Sequence, residues 1–225
     1  GLAAGADRTD ARVALGRALM EMDSSSAADR ELSEAVRRDP QNAYAAFWLG
    51  TARARAGRDA EAVAPLAEAV RLAPRFTEAR VAYAKALAGS GQRAEAIRQM
   101  ETVTRLDPER NAGAWNDLGL FRLQSGQPGP ARTALRRAVA LDPTLVTAWV
   151  NLGAAALSAN DASEAERAFT RALRYEPRHT GAMGNLALLR ARQGREAEAR
   201  DLLRQLLAVD PNDARARALL AELNS

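Results

Sequence analysis

The sequence predicts an all-α solenoid of six helical hairpins closed by one further helix. Three observations carry this. Hydrophobic residues make up 47% of the 225 positions while aromatics reach only 4%, with alanine supplying much of the apolar share; alanine is the strongest helix former and lets helices pack closely. Prolines recur at Pro40, Pro74, Pro108, Pro143, Pro177 and Pro211, at intervals of 34, 34, 35, 34 and 34. Three further sets of residues repeat in register with them.

Each set has a physical reason in a helix–turn–helix unit. Gly57, Gly91, Gly126, Asn160 and Gly194, with Asp23 in the first unit, fall where the first helix must stop. A left-handed residue is needed there, which glycine adopts freely and asparagine tolerates. The prolines end the second helix, because proline cannot donate to the helical ladder. The pairs Leu15-Gly16, Leu49-Gly50, Tyr83-Ala84, Leu118-Gly119, Leu152-Gly153 and Leu186-Ala187 put a small residue where two helices approach. Ala28, Ala62, Ala96, Ala131, Ala165 and Ala199 do the same on the second helix. Between these marks lie stretches with apolar residues three and four apart, such as Ala45, Trp48, Leu49 and Ala52.

In the fourth unit Trp115, Leu118, Gly119, Ala131, Leu135, Ala138 and Pro143, and in the fifth Trp149, Leu152, Gly153, Ala165, Phe169, Ala172 and Pro177, form a 34-residue signature. This pattern resembles the tetratricopeptide repeat family. The resemblance covers residues 9–213 and implies a right-handed superhelix, an α-solenoid. It divides the chain into a lead at 1–8, a degenerate first repeat at 9–42, repeats at 43–76, 77–111, 112–145, 146–179 and 180–213, and a capping helix at 214–225.

The departures are local. Arg12 stands where the fourth repeat has Trp115, and Met22-Asp23-Ser24-Ser25-Ser26 replaces the tight turn, predicting a looser loop. The one 35-residue interval places its extra residue in the loop Glu109-Arg110-Asn111, where an insertion does little harm. Pro65 lies beyond the first turn of its helix and predicts a kink or a rearranged ladder, whereas Pro128 and Pro130 sit at a helix start. In the last helix Leu219, Leu220 and Leu223 can cover the sixth repeat while Arg215 and Glu222 face water, as an open solenoid end requires.

Composition narrows the function. Lys85 is the only lysine among 32 basic residues, which exceed the acidic ones by four. The two signs alternate along the chain instead of forming the basic stripe of a nucleic-acid binder. No cysteine is present, which excludes disulfides, thiolate metal sites and a cysteine nucleophile. No stretch approaches the roughly 18 consecutive apolar residues of a membrane span. The chain begins Gly1-Leu2, so an upstream signal could have been removed, and the compartment stays open between cytoplasmic and exported. The one histidine, His179, has no metal-ligand spacing around it, and the glycines are spaced as helix stops, not as a phosphate loop. The expectation is no enzyme, no cofactor and no metal.

In the family the first helices of the repeats line a concave groove that takes an extended peptide or a partner's helix. The resemblance places Tyr44, Phe47, Trp48, Thr51, Glu78, Lys85, Asn116, Asp117, Leu120, Asn151, Asn185, Leu188 and Arg192 on that groove. Asn151 and Asn185 hold the same place in consecutive repeats, with Asp117 one repeat earlier, and resemble an asparagine ladder that grips a peptide backbone. Each amide offers a donor and an acceptor, though the same groups could instead bond a neighbouring helix.

Trp48 lies two positions later in its repeat than Trp115 and Trp149 do in theirs, with Ala46 in their place. Two positions turn a side chain by about 200° on an ideal helix, towards the groove. Either its ring joins Tyr44 and Phe47 in an anchoring patch, or it folds back over the gap left by Ala46 or packs on the first repeat.

The function expected is a scaffold or adaptor that binds another protein. The alternatives are a scaffold self-assembling into homo-oligomers through its repeat ends and the Trp48 patch, or the regulatory repeats of a larger protein.

Overall fold

The computed structural model describes residues 2–224, with side chains from residue 9 onward. Among the described residues there are thirteen α-helices and no strand. The chain forms two compact units, Gly1–Leu106 and Asp107–Ser225.

The first unit contains α1 (Leu2–Glu21), α2 (Ser25–Arg38), α3 (Ala43–Arg55), α4 (Asp59–Leu72), α5 (Thr77–Gly89) and α6 (Arg93–Leu106). The second contains α7 (Ala112–Gln124), α8 (Pro128–Leu141), α9 (Val146–Ser158), α10 (Ala162–Tyr175), α11 (Thr180–Arg192), α12 (Glu196–Val209) and α13 (Ala214–Glu222). In each unit the odd-numbered helix of a hairpin packs on its even-numbered partner, and that partner packs on the next odd-numbered helix. The odd-numbered, leading helices also touch one another, α1 with α3, α3 with α5, α7 with α9 and α9 with α11. The predicted lead at residues 1–8 lies outside the described side chains; the backbone of α1 is helical from Leu2.

Each hairpin turns in three residues, and the middle one is left-handed: Asp23 (φ 53°), Gly57 (72°), Gly91 (87°), Gly126 (71°), Asn160 (58°) and Gly194 (75°). The first turn was expected to be looser, yet it has the same form. Ser24 N–H donates to the Leu19 carbonyl and Asp23 N–H to that of Met20, as Arg58 and Gly57 do to Arg53 and Ala54. These bonds satisfy carbonyls that a helix end leaves orphaned, and Asp23 bears the left-handed conformation because its short polar side chain tolerates it.

The acidic residue before most of the prolines has its own reason. Proline drives the preceding residue to an extended conformation, and Asp39, Asp142 and Asp210 have ψ of 83°, 93° and 90°. Their carboxylates then accept the N–H two residues on, from Gln41 at 3.2 Å, Thr144 at 2.9 Å and Asn212 at 3.0 Å. An Asx turn thus spans each proline. Hydrogen bonds from the Thr144 hydroxyl and backbone hold the Asp142 carboxyl below its ordinary range.

The small residue after leucine is required by packing. A Cβ on Gly16, Gly50 or Gly119 would lie 2.5, 2.4 or 2.4 Å from Cγ of Leu32, Leu66 or Leu135, and one on Gly153 would lie 2.5 Å from Cε1 of Phe169. Those four partners are fully buried and centre the interior of their hairpins. The leucines before the glycines pack on the preceding repeat: Leu49 joins Leu32 and Val13, and Leu152 joins Leu135 and Ala131. Leu15, with no hairpin packed before it among the described residues, is 48% exposed.

The helix α4 runs without interruption through Pro65 and has the 14 residues of every other even-numbered helix. Pro65 brings no N–H for the Glu61 carbonyl, and the Arg53 guanidinium donates to that carbonyl at 3.3 Å. Arg122 makes the same reach to the Pro130 carbonyl at 3.4 Å. The contact therefore belongs to the repeat, and in α4 it occupies a group that proline would otherwise leave unpaired.

Arginine–carboxylate bridges tie consecutive repeats at one recurring pair of positions. Asp29 on α2 meets Arg58 at the start of α4 at 2.9 Å, and Glu166 on α10 meets Arg195 at the start of α12 at 2.7 Å. In the repeat between α8 and α10 the charges are exchanged: Arg132 meets Asp161 at 2.6 Å. A second arginine reinforces each of the first two, Arg53 to Asp29 at 2.9 Å and Arg190 to Glu166 at 3.7 Å. Burial raises the Asp29 carboxyl, but hydrogen bonds from Arg53 and Arg58 outweigh it and leave the group below its ordinary value.

Leading helices begin at Asn42, Phe76, Asn111, Leu145, His179 and Asp213. Asn111 accepts from Ala114 N–H at 2.8 Å, and the Nδ1 of His179 accepts from Ala182 N–H at 3.1 Å. The lone histidine is thus a helix cap in this structure. Replacing Asn111 by alanine is expected to lower stability by about 1 kcal/mol, measured by urea denaturation; no change would mean that the free N–H groups of α7 find water at no cost.

Candidate functional site

The residues expected on the groove fall into two groups, one in each unit. In the first unit they stand on α3 and α5. Tyr44 is 45% exposed, among the most exposed large apolar side chains described. It rests on Phe47 and Trp48, with ring centroids 6.3 and 5.9 Å away, and stacks on Phe76 at 6.3 Å with 19° between the planes. Phe47 and Phe76 meet at 4.9 Å. The four rings make one continuous surface along the start of α3.

Trp48 is half-buried. It packs against the cluster of Val13, Met20 and Leu32 in the first hairpin, and the Arg17 guanidinium lies 4.6 Å over its ring. Trp48 thus packs on the first repeat and also joins Tyr44 and Phe47, with ring centroids 5.9 and 5.1 Å away. Its Nε1 is buried without a hydrogen-bond partner. Trp115 and Trp149, two positions earlier in their repeats, donate from Nε1 to the carbonyls of Pro108 at 3.0 Å and Pro143 at 2.7 Å. Arg80, in the same place of the third repeat, donates to the Pro74 carbonyl at 2.8 Å. The shift of Trp48 therefore costs it a partner. The Thr51 hydroxyl donates back to the Phe47 carbonyl at 2.8 Å, and Glu78 and Lys85 are exposed on α5.

Phe76 was not among the residues singled out from the sequence. It occupies the position where Asn42 and Asn111 cap their helices, so a capping side chain has been replaced by an aromatic ring. A non-polar residue at a cap position was the available signal.

In the second unit the residues expected on the groove stand on α7, α9 and α11. Asn151 donates from Nδ2 to Oδ1 of Asn116 at 2.9 Å, and Asn116 donates to Asp117 at 3.4 Å. Asn116 is only 9% exposed. Asn116 and Asn151 thus link two leading helices to each other. Asn185, one repeat on from Asn151, lies at the mouth of a cavity lined by Leu188, Leu203, Leu206 and Leu219. Leu120 and Leu188 are partly buried and Arg192 is exposed. Asn151 and Asn185 present amides that can meet a peptide's N–H and C=O groups, with Leu120 and Leu188 as apolar neighbours.

A sequence profile described as tetratricopeptide repeat matches residues 13–75 and 81–146. The chain belongs to the tetratricopeptide repeat family. A second profile, described as the cytochrome c-type biogenesis protein H TPR domain, matches residues 132–224. No curated protein matches the chain in sequence. Among solved structures this tetratricopeptide repeat protein is similar to PilW, a widely conserved type IV pilus biogenesis factor, with TM-score 0.82, 19% identity and 94% of this chain covering 98% of that one. It is similar to YrrB, described as a TPR protein with an unusual peptide-binding site, with TM-score 0.66, 19% identity and coverage of 83% and 96%. It also resembles a chain of the APC/C Cut9–Hcn1 hetero-tetramer, with TM-score 0.75 and 20% identity, where 97% of this chain spans 43% of that one. At these identities the likeness concerns the fold. Tetratricopeptide repeats are a non-catalytic protein-interaction fold, and the chain is a protein-interaction scaffold of that general kind. Among the described residues no helix is long and apolar enough to cross a membrane.

Proposed function

We propose that the chain holds an extended segment of another protein against its leading helices, with repeats bounded at 9–42, 43–76, 77–111, 112–145, 146–179 and 180–213 and α13 as the cap. The observation that carries this reading is the aromatic surface of Tyr44, Phe47, Trp48 and Phe76. Tyr44 stands out from it, supported by three rings and reached by an Arg17 nitrogen 3.4 Å from its hydroxyl. A rigid aromatic ring offers a large contact area at little entropic cost. Such a residue over a packed base is the arrangement that concentrates binding energy at protein interfaces. The asparagines of α9 and α11 supply sequence-tolerant polar contacts. YrrB, a neighbour in fold, is described as carrying a peptide-binding site, which agrees with this reading.

Tyr44, and not Trp48, is the residue to test, because Trp48 also supports the first hairpin. Tyr44→Ala is expected to weaken partner capture by at least about tenfold while the melting temperature changes little. The measurement is quantitative pull-down from a lysate, with thermal denaturation in parallel. Equal capture by both proteins would remove the aromatic surface from the binding site.

A further inference from the structure

One position of the leading helix lies two residues before each Leu–small pair, and the six repeats fill it with Val13, Phe47, Val81, Asn116, Val150 and Gly184. Five repeats place a side chain there; the sixth places none. Glycine inside a helix costs about 1 kcal/mol relative to alanine, so its presence in the middle of α11 calls for a reason. At Gly16, Gly50, Gly119 and Gly153 the reason is the neighbouring helix, which a Cβ would strike. At Gly184 a Cβ would meet only Leu206 Cδ1 at 3.4 Å, an ordinary contact. Packing does not demand this glycine.

Gly184 instead lines a cavity of about 370 Å³ between α11, α12 and α13. Leu188, Leu203, Leu206 and Leu219 form its apolar walls, and Thr180, Asn185, Asp213 and Arg215 are its polar lining. Two charged residues line it, Asp213 and Arg215. The Asp213 carboxylate caps α13, accepting from Ala216 N–H at 2.8 Å. Arg215 is exposed, and so is Arg192, one turn beyond Leu188 on α11. With Asp213 engaged as a cap, the exposed Arg215 and Arg192 are the cations open to an anionic neighbour.

We infer that this cavity receives one large apolar side chain, Phe, Leu or Met, from an extended partner segment in which an acidic residue stands beside it. Arg215 and Arg192 meet the acidic neighbour, and the Asn185 amide meets the backbone between them. This rests on the reading that the leading helices hold a partner segment, and it gives that segment its chemistry.

The test is selection of phage-displayed random twelve-residue peptides on the whole chain and on Gly184→Val, which narrows the cavity with the side chain that three other repeats carry. The wild type is expected to enrich peptides carrying Phe, Leu or Met next to Asp or Glu. A synthetic peptide from that set is expected to bind Gly184→Val at least about tenfold more weakly, and Arg215→Glu more weakly still than Arg215→Gln. The melting temperature of Gly184→Val should equal or exceed that of the wild type, so lost binding cannot be ascribed to unfolding. Equal binding of the selected peptides to Gly184→Val would overturn the cavity as the site while leaving peptide binding intact. No enrichment by either protein would overturn both readings. Self-association of the wild type that Gly184→Val abolishes would make the occupant a second copy and overturn the inference.

Discussion

Phe169→Ala is expected to destabilise the second unit by about 3–5 kcal/mol. Phe169 is fully buried and packs with Ala156, Ala165, Met183, Leu186, Leu203 and Leu206. It therefore joins α9 and α10 to α11 and α12, not only the two helices of its own hairpin. Gly153 lies directly against its ring, so no side chain nearby can move in to refill the space. In a repeat array, stability is close to a sum of nearest-neighbour contacts, so the loss falls first on the helices after α10. Hydrogen exchange should show α11, α12 and α13 opening before α7 and α8, and the urea transition should broaden. A cooperative transition with unchanged midpoint would mean that the core redistributes around the cavity, against this account.

The second large effect belongs to the charged junction between α8 and α10. Glu164 is 7% exposed and accepts from Arg132 and Arg136, each at 2.6 Å. Burial raises its carboxyl, but the hydrogen bonds from Arg136 and Arg132 outweigh that and hold it below the ordinary value of 4.5. Removing one partner of a buried pair costs about 3–5 kcal/mol when the other is left uncompensated. Arg136 is more than half exposed and Arg132 keeps Asp161, which brings the expected loss for Glu164→Gln down to about 2 kcal/mol.

The pH dependence follows from the direction of the shift. A carboxylate with a lowered folded pKa stabilises the fold fully above its unfolded value and loses that contribution as pH falls through the folded one. The wild type should therefore exceed Glu164→Gln in melting temperature at neutral pH, and the gap should close on acidification below about 4.5. A gap that persists in acid would mean that the ion pairs contribute little. Arg132→Asp crowds three carboxylates together and should be worse than either. Combining it with Asp161→Arg rebuilds the polarity of the Asp29–Arg58 junction and should recover part of the loss, because the two pairs stand at the same positions of their repeats.

The candidate binding face is legible only in part. The expected residues do stand on leading helices, but their roles differ. From the sequence, Trp48 is a groove anchor or a packing residue; in the structure it touches both the first hairpin and the rings of Tyr44 and Phe47, and Tyr44 is the more exposed ring. Asn151 was expected to be free for a ligand or bonded to a neighbour, and Asn116 supplies that neighbour. Phe76 carries no signal of its ring contacts in the sequence, because its place at a helix start implies capping and its ring's neighbours, Tyr44 and Phe47, stand on another helix.

The sequence by itself determined the helices, their turns and the thirty-four-residue register. Those features answer to local rules: a left-handed residue ends one helix, a proline ends the next, and a carboxylate bridges the proline. Each is satisfied within a few residues of chain. Tertiary structure alone decided which charges pair across a junction, how Arg53 meets the Glu61 carbonyl in a helix containing proline, and what Gly184 leaves open. These depend on the distance between side chains about thirty residues or one helix apart, and two glycines that look alike in sequence differ by whether a neighbouring helix presses against them.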